Sequence, residues 1–368
     1  MQMLNIIGDQ LSFEFSDVHP EAKLKINFQR TLRIPDNGKE YPLPPGLGTF
    51  PLRQIDDFKD RVPAKWVEHG GIFLPLYQSE ALWLRFAPSS VDRRGIYPFA
   101  IKVAAGKVSA VTGDEWTSGL KAKDYMVAPK QPWLDGYAVG DGVIRQFVAA
   151  PLGSGFSVEE QITGKAEFGG IQIEVFPMKW EVFKEKFPKH KPESILRSAK
   201  FRVGAPSGQS ANYSSDSDSL CLMDCMEMER SDSRGLDMSL AAGGRMKQQI
   251  FDDPYQISDW DTNHGIRCFV HLANSVLWRD ITQTDPPHVP FTAQNYARQG
   301  LPWYDYYSDG PTIGGTEKLQ GVKSVAEIAG SKGITSVILP NNGDISIPTE
   351  KITHVGTEKR PGVRTGNW

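Results

Sequence analysis

Short stretches in which apolar and polar residues alternate recur through the first half of the chain. Residues 24–28 alternate in this way, and residues 171–176 do so most clearly, with Ile171, Ile173 and Val175 on one face. A period of two residues is that of a β-strand with one buried face. Other short apolar runs, bounded by turn-forming residues, lie at residues 72–76, 81–86, 99–103, 107–111 and 143–150. Regular short strands of this kind predict a sandwich or an open barrel.

The second half of the chain has a mixed pattern. Residues 267–278 form an apolar run whose period does not distinguish a buried strand from a helix. Thr292 can cap a helix that continues to residue 298, and residues 324–329 are a second helical candidate. We therefore expect a mainly β protein with a few short helices, of the α+β class. Its first part would be an antiparallel sandwich or open-barrel-like structure, and its second part mixed.

A segment rich in serine and aspartate separates these two parts. Residues 206–219 contain almost nothing that a core could bury, which predicts a flexible loop or linker. The chain is accordingly divided into a β-rich part at residues 1–205, a linker segment at residues 206–235 and a mixed part at residues 236–368. The two parts either form separate domains or pack into one unit, and 368 residues are enough for both arrangements.

Charge and hydropathy exclude several classes of protein. The formal net charge is -3 with lysine and arginine scattered along the chain, so a nucleic-acid partner is not expected. No apolar run resembles a secretory signal or approaches the ~20 residues that cross a bilayer. The three cysteines, Cys221, Cys225 and Cys268, cannot form a complete set of disulfides. These observations predict a cytoplasmic protein that does not span a membrane.

The strand predicted at residues 143–150 contains a candidate buried charge. Arg145 and Gln146 occupy opposite faces of an otherwise apolar run, so one of them points inward unless the strand lies at a sheet edge. A buried arginine requires a carboxylate partner. The resulting pair would either fix the register of the sheet or form part of a ligand site. Three glutamates in the following segments are the candidate partners: Glu159, Glu160 and Glu174.

Two segments concentrate aromatic side chains beside turn-forming residues. Residues 131–136 place Trp133 and Asp135 in a predicted turn, and residues 301–307 follow a similar pattern. The second segment contains four aromatic residues: Trp303, Tyr304, Tyr306 and Tyr307. Such a run cannot bury every ring on one face, and exposed Trp and Tyr are enriched where proteins meet partners or ligands. The alternative is a small satellite core beneath a loop.

A group of acidic residues leaves two interpretations open. Oxygen ligands at such density can hold a divalent cation, and a solvated acidic loop has the same composition. The spacing matches no metal-binding motif, so neither a metal site nor a cofactor is predicted. The residues concerned are Asp252, Asp253, Asp259, Asp261 and His264.

Four stretches, at residues 28–35, 131–136, 145–155 and 301–307, resemble a family of uncharacterised bacterial and fungal proteins. The resemblance covers most of the chain outside the Ser/Asp-rich segment. Some members of that family are labelled integral membrane proteins, and this sequence departs from that label because it contains no spanning segment. The resemblance implies no reaction and no catalytic residue. It does imply that the two parts belong to one architectural unit.

Two functional hypotheses follow from these patterns. The favoured one is a non-enzymatic binding or structural protein that forms a homo-oligomer or engages a protein partner through a Trp/Tyr-rich surface. The alternative is a small-molecule or carbohydrate-binding protein, or a hydrolase, with an Arg/Glu cleft. In that case Trp133 or Trp303 would stack on the ligand. Asp135, Glu159 or Glu160 would act as acid or base, with two carboxylates ~5–10 Å apart.

Overall fold

The computed structural model describes residues 2–189, 237–307, 310–334 and 345–356. Strands predominate over helices within these ranges, which confirms the expected mainly β, α+β class. The strands are β1 (Gln2–Ile6), β2 (Leu11–Phe15), β3 (Lys23–Thr31), β4 (Glu40–Tyr41), β5 (Arg53–Gln54), β6 (Ile72–Pro75), β7 (Ala81–Pro88), β8 (Ser90–Val91), β9 (Gly95–Ile96), β10 (Phe99–Ala105), β11 (Val108–Ser109), β12 (Met126–Ala128), β13 (Trp133–Leu134), β14 (Gly136–Gly140), β15 (Val143–Pro151), β16 (Ile171–Pro177), β17 (Met238–Lys247), β18 (Ile266–Ala273), β19 (Trp303–Tyr307) and β20 (Ile352–Gly356). The α-helices are α1 (Ala64–His69), α2 (Val158–Thr163), α3 (Trp180–Lys186), α4 (Ser275–Thr282), α5 (Ala293–Arg298), α6 (Glu317–Gln320) and α7 (Val325–Ser331).

Most of the strands belong to two sheets. Sheet I has the strand order β1-β2-β3-β7-β15-β17-β4, with β13 paired to β7 and β14 paired to β15. Sheet II has the order β11-β10-β16-β18-β6-β5, with β12 paired to β10. Neighbouring strands are antiparallel except that β4 pairs with β17 and β6 pairs with β18 in parallel. Strands β19 and β20 form a separate parallel pair, which we call the ribbon.

The main core lies between the two sheets. Alternate residues of β3, namely Leu24, Ile26 and Phe28, are fully buried, as the two-residue period predicts. The rings of Phe15 in sheet I and Phe99 in sheet II are 5.5 Å apart. One hydrophobic cluster contains inward-facing residues of both sheets. The burial of these side chains is the main favourable contribution to the stability of the fold.

Both sheets contain strands from either side of the predicted linker. Strand β17 pairs with β15 in sheet I, and β18 pairs with β16 in sheet II. The predicted linker itself, residues 206–235, lies outside the described residues. The ambiguous run at residues 267–278 contains both kinds of element, because β18 ends at Ala273 and Asn274 caps helix α4. Cys268 is a buried free thiol, while Cys221 and Cys225 lie outside the described ranges.

Several helices begin at residues whose side chains accept a hydrogen bond from the first turn. Ser157 caps α2, Thr292 caps α5 and Ser324 caps α7. These caps satisfy backbone N–H groups that have no partner within the helix. In the part of the chain that the structure describes, none of the helices has the length and apolar character needed to cross a membrane.

Candidate functional site

A narrow cleft lies between sheet I and the ribbon. Its volume is about 330 Å³ including the solvent at its mouth, and the centre of a water molecule can reach about 20 Å³ of it. That inner space holds about one water molecule. The lining comes from five separate parts of the chain: Leu43, Pro44 and Pro45; Trp83; Trp133 and Asp135; Tyr304; and Val355.

The floor of the cleft is the face of sheet I that points away from sheet II. Trp83 alternates along β7 with Leu82 and Leu84, which are fully buried in the main core. Strand β13 pairs with β7 so that Trp133 lies opposite Arg85 and therefore shares the face of Trp83. Period-two alternation thus places both indoles on the outer face of the sheet.

The roof of the cleft is formed by the ribbon and by residues 43–45, which lie beside it. Leu43 and Tyr304 exchange two backbone hydrogen bonds, each 2.8 Å long, which attach β19 to this segment. On the same side of β19, the ring of Tyr306 contacts that of Trp133 at a centroid distance of 4.9 Å. The ribbon is therefore positioned by one backbone pair and by aromatic contacts rather than by membership of a sheet.

Asp135 is the acidic residue of the cleft lining, and its side chain has an unusual environment. Gln248 Nε2 donates a 2.7 Å hydrogen bond to Asp135 Oδ2, and the Asp135 backbone N–H donates to Gln248 Oε1 at 3.0 Å. Burial raises the pKa of the carboxyl from its ordinary 3.8 to about 7, and the bond from Gln248 opposes that rise. A large fraction of Asp135 is consequently protonated near neutral pH.

The local chain around Asp135 differs from the predicted turn. Asp135 connects β13 to β14, and Gly136 is the first residue of β14. A Cβ atom on Gly136 would lie only 2.0 Å from the carbonyl oxygen of Arg145. Glycine is required here for the close approach of β14 to β15, not for a left-handed turn. The prediction of a turn was wrong because close strand packing and turns both select glycine.

The prediction of exposed tryptophans was also wrong. Trp133 and Trp303 are only 6% and 3% exposed. Trp303 packs against Tyr296 of α5 at a ring distance of 5.1 Å, whereas Tyr304 faces the cleft. Both faces of β19 are therefore covered, which a single strand viewed in sequence does not reveal. Tyr304 and Tyr306 are half-buried, and the side chain of Tyr307 lies outside the described part.

Arg145 is buried and paired, but not with a predicted glutamate. Its guanidinium lies 3.7 Å from Asp36 Oδ1 and 3.4 Å from Glu327 Oε2. It also donates to the carbonyl of Gly243 at 3.4 Å. Glu174, one of the predicted partners, accepts instead from Arg267 at 2.8 Å. The partners of Arg145 are distant in sequence, so the search among neighbouring strands missed them.

Glu159 and Glu160 have structural roles in and beside helix α2. Glu160 accepts hydrogen bonds from the Ser157 hydroxyl and backbone N–H and completes a capping box. Glu159 is buried and accepts from three consecutive backbone N–H groups, those of residues 167–169, at 2.7–2.9 Å. Neither glutamate belongs to the lining of the cleft. The predicted Arg/Glu cleft is therefore not formed by these residues.

Replacing Glu159 by glutamine should destabilise the fold by about 2–3 kcal/mol. The carboxylate accepts the three hydrogen bonds with two charged oxygens, whereas the glutamine amide has one neutral oxygen and an NH₂ group that cannot accept. Thermal unfolding of the purified protein measures the change. Glu167→Gln, at an exposed side chain, is the matched control. An equal effect of the two substitutions would contradict the anchoring role of Glu159.

The acidic residues between 252 and 264 are used in internal contacts. Asp253 accepts from the Tyr125 hydroxyl at 2.5 Å and from Trp260 Nε1 at 2.8 Å. Asp261 pairs with His264 at 2.7 Å, and Asp259 pairs with Lys186 at 3.4 Å. Asp252 accepts from the backbone of its neighbour. Across the described ranges, His, Cys, Asp and Glu side chains form no group of three that could hold a metal ion.

Sequence reasoning selected three of the residues that line the cleft and missed others. Trp133, Asp135 and Tyr304 were among the candidates, whereas Trp83 was read only as part of an apolar strand. The available signal was the alternation in residues 81–86, which places Trp83 and Arg85 together on the face opposite the leucines. No family model, curated protein or solved structure matches the chain.

Proposed function

We propose that the protein binds a small organic molecule in the cleft between sheet I and the ribbon. The observation that carries this proposal is a buried carboxyl, that of Asp135, placed among aromatic residues with a neutral amide as its side-chain hydrogen-bond partner in the described structure. Apolar clefts with one or a few polar groups are the common form of small-molecule sites.

An unsatisfied donor at the same place supports the proposal. Trp83 lines the cleft, and its Nε1 is buried without a hydrogen-bond partner in the described structure. A buried polar group without a partner costs about 1–3 kcal/mol. An acceptor on a bound ligand would recover part of that energy.

The narrowness of the cleft defines how a ligand would be accommodated. The inner space fits about one water molecule, so a larger ligand requires a shift of the roof. The ribbon contributes Tyr304 and Val355 to the lining and belongs to neither sheet. We expect the ribbon, rather than the floor formed by sheet I, to move on binding.

The lining favours binding over hydrolysis. Hydrolysis by paired carboxylates needs two such groups about 5–10 Å apart. The cleft lining contains Asp135 as its single carboxylic acid. Self-association through a Trp/Tyr-rich surface stays a prediction. Because Trp133 and Trp303 are buried, only the exposed parts of Tyr304 and Tyr306 support it among the described residues of these two aromatic segments.

Ligand-observed NMR with a library of small molecules tests the proposal. Binders should compete with one another, and Trp133→Leu and Tyr304→Ala should each weaken their binding at least tenfold, since both side chains line the cleft. Trp180→Leu is the matched control, because Trp180 is a half-buried tryptophan of helix α3 that does not line the cleft. The proposal would be contradicted if no molecule binds, or if the two cleft substitutions leave the affinity of the binders unchanged.

A further inference from the structure

The polar groups of the cleft are too few for a polyhydroxylated ligand. Leu43, Pro44, Pro45 and Val355 contribute aliphatic surface, and the two tryptophans contribute rings. Each hydroxyl of a sugar buried here would need a hydrogen-bond partner that these side chains do not offer. The lining therefore suits a compact group with a mostly apolar surface and little hydrogen-bonding capacity.

Among the described residues, Asp135 differs from the other buried acids because its side chain has neither a cation nor a set of backbone N–H groups as partner. Glu159 is held by three backbone N–H groups, whereas Asp135 has the neutral amide of Gln248. Burial without a cation also explains the raised pKa of Asp135. The remaining buried acids each pair with a cation: Glu14 with Lys23, Glu80 with Arg30, Asp124 with Lys102 and Glu174 with Arg267.

The chemistry that complements both features is that of an organic cation. Aromatic rings attract cations through their electron-rich faces, and tryptophan does so most strongly. The cleft contains two tryptophans and a tyrosine beside the carboxyl: Trp83, Trp133 and Tyr304. An anion would be repelled by ionised Asp135, and a neutral apolar group would leave the ionised form of that carboxyl without a counter-charge, whereas a cation would favour the ionised form.

We propose that the cleft binds an alkylated or quaternary ammonium group, with Asp135 as its counter-ion and Trp83, Trp133 and Tyr304 as the surrounding aromatic residues. The methyl or methylene groups of such a cation match the apolar lining, and its charge pairs with the carboxylate. This inference rests on the proposed small-molecule function and specifies its ligand class.

Isothermal titration of the full-length protein with two isosteric probes tests the inference. Choline carries a trimethylammonium group, and 3,3-dimethyl-1-butanol has the same shape without the charge. Choline should bind at least tenfold more tightly than the neutral alcohol. Asp135→Asn should remove that preference by weakening choline binding at least tenfold while leaving the alcohol within about twofold.

Two controls separate the outcomes. Asp285→Asn removes an exposed carboxylate that pairs with Arg279, and it should leave choline binding unchanged. A melting curve confirms that Asp135→Asn is folded, and Trp133→Leu supplies a second variant, which should weaken the binding of both probes.

Equal binding of choline and the alcohol would overturn the ammonium inference and leave the proposed function standing. The ammonium inference would also be overturned, and the proposed function would stand, if choline does not bind but other molecules do and Trp133→Leu weakens their binding. Failure of every small molecule would overturn both.

Discussion

Replacing Asp135 by asparagine should stabilise the protein at about pH 8, by up to about 4 kcal/mol. The physical reason is that the native state must carry a buried carboxylate above its raised pKa of about 7, whereas the unfolded chain ionises the same group at its ordinary 3.8. The asparagine amide is neutral at every pH and can still accept from Gln248.

The sign of the pH dependence follows from the raised pKa of Asp135. The native protein binds this proton more tightly than the unfolded chain, so the contribution of Asp135 to stability is fully present below about pH 4 and is lost as the pH rises through about 7. The advantage of Asp135→Asn should therefore grow between these limits and then remain constant. Melting temperatures across this range measure it, with Asp285→Asn as the exposed control. Parallel pH profiles for the wild type and Asp135→Asn would contradict a neutral buried carboxyl.

Replacing Arg30 by methionine should destabilise the protein by about 3–5 kcal/mol, because it leaves Glu80 buried without its cation. Arg30 Nη2 lies 2.6 Å from Glu80 Oε1, and both side chains are almost completely buried. Arg30 also donates to the carbonyl of Val289, in the segment that leads towards α5 and the ribbon. Loss of the arginine should therefore loosen the approach to the cleft roof as well as the sheet.

A double substitution distinguishes the buried charge from lost packing. Arg30→Met with Glu80→Gln should be closer to the wild type in stability than Arg30→Met alone, because no charge is left buried. Arg245→Met removes a half-exposed pair with Glu40 and should change stability by less than about 1 kcal/mol. Chemical denaturation of the four proteins provides the comparison. Equal losses for the single and double variants would show that packing, not charge, dominates at Arg30.

Much of the fold could be predicted from local pattern. Residues 171–176 alternate cleanly because β16 is a two-faced strand, and the neighbouring apolar runs at residues 99–103 and 107–111 contain the paired strands β10 and β11. The paired strand β17, by contrast, contains Gly243 and Gly244, whose missing side chains allow close contact with Val148 and Pro35. Such glycines resemble loop residues in a sequence, since the neighbours that require them are distant along the chain.

The site was only partly predictable for a related reason. Of the residues selected from the sequence, Trp133 and Asp135 lie in the floor of the cleft and Tyr304 lies in its roof. The partner of Asp135, however, is Gln248, and the partners of Arg145 are Asp36 and Glu327. Sheet topology, rather than sequence proximity, brings these side chains together. A periodic pattern gives the face on which a residue lies, but not the strand that will lie beside it.

The ribbon has a consequence for biosynthesis. The floor of the cleft is formed by residues that leave the ribosome well before Tyr304 and Val355, which complete the lining. Until β19 and β20 have been made, Trp83 and Trp133 have no ribbon to cover them. The nascent chain therefore presents an aromatic surface, and such surfaces are sites of chaperone capture or aggregation during slow assembly. Docking of the ribbon would be the step that ends this exposure.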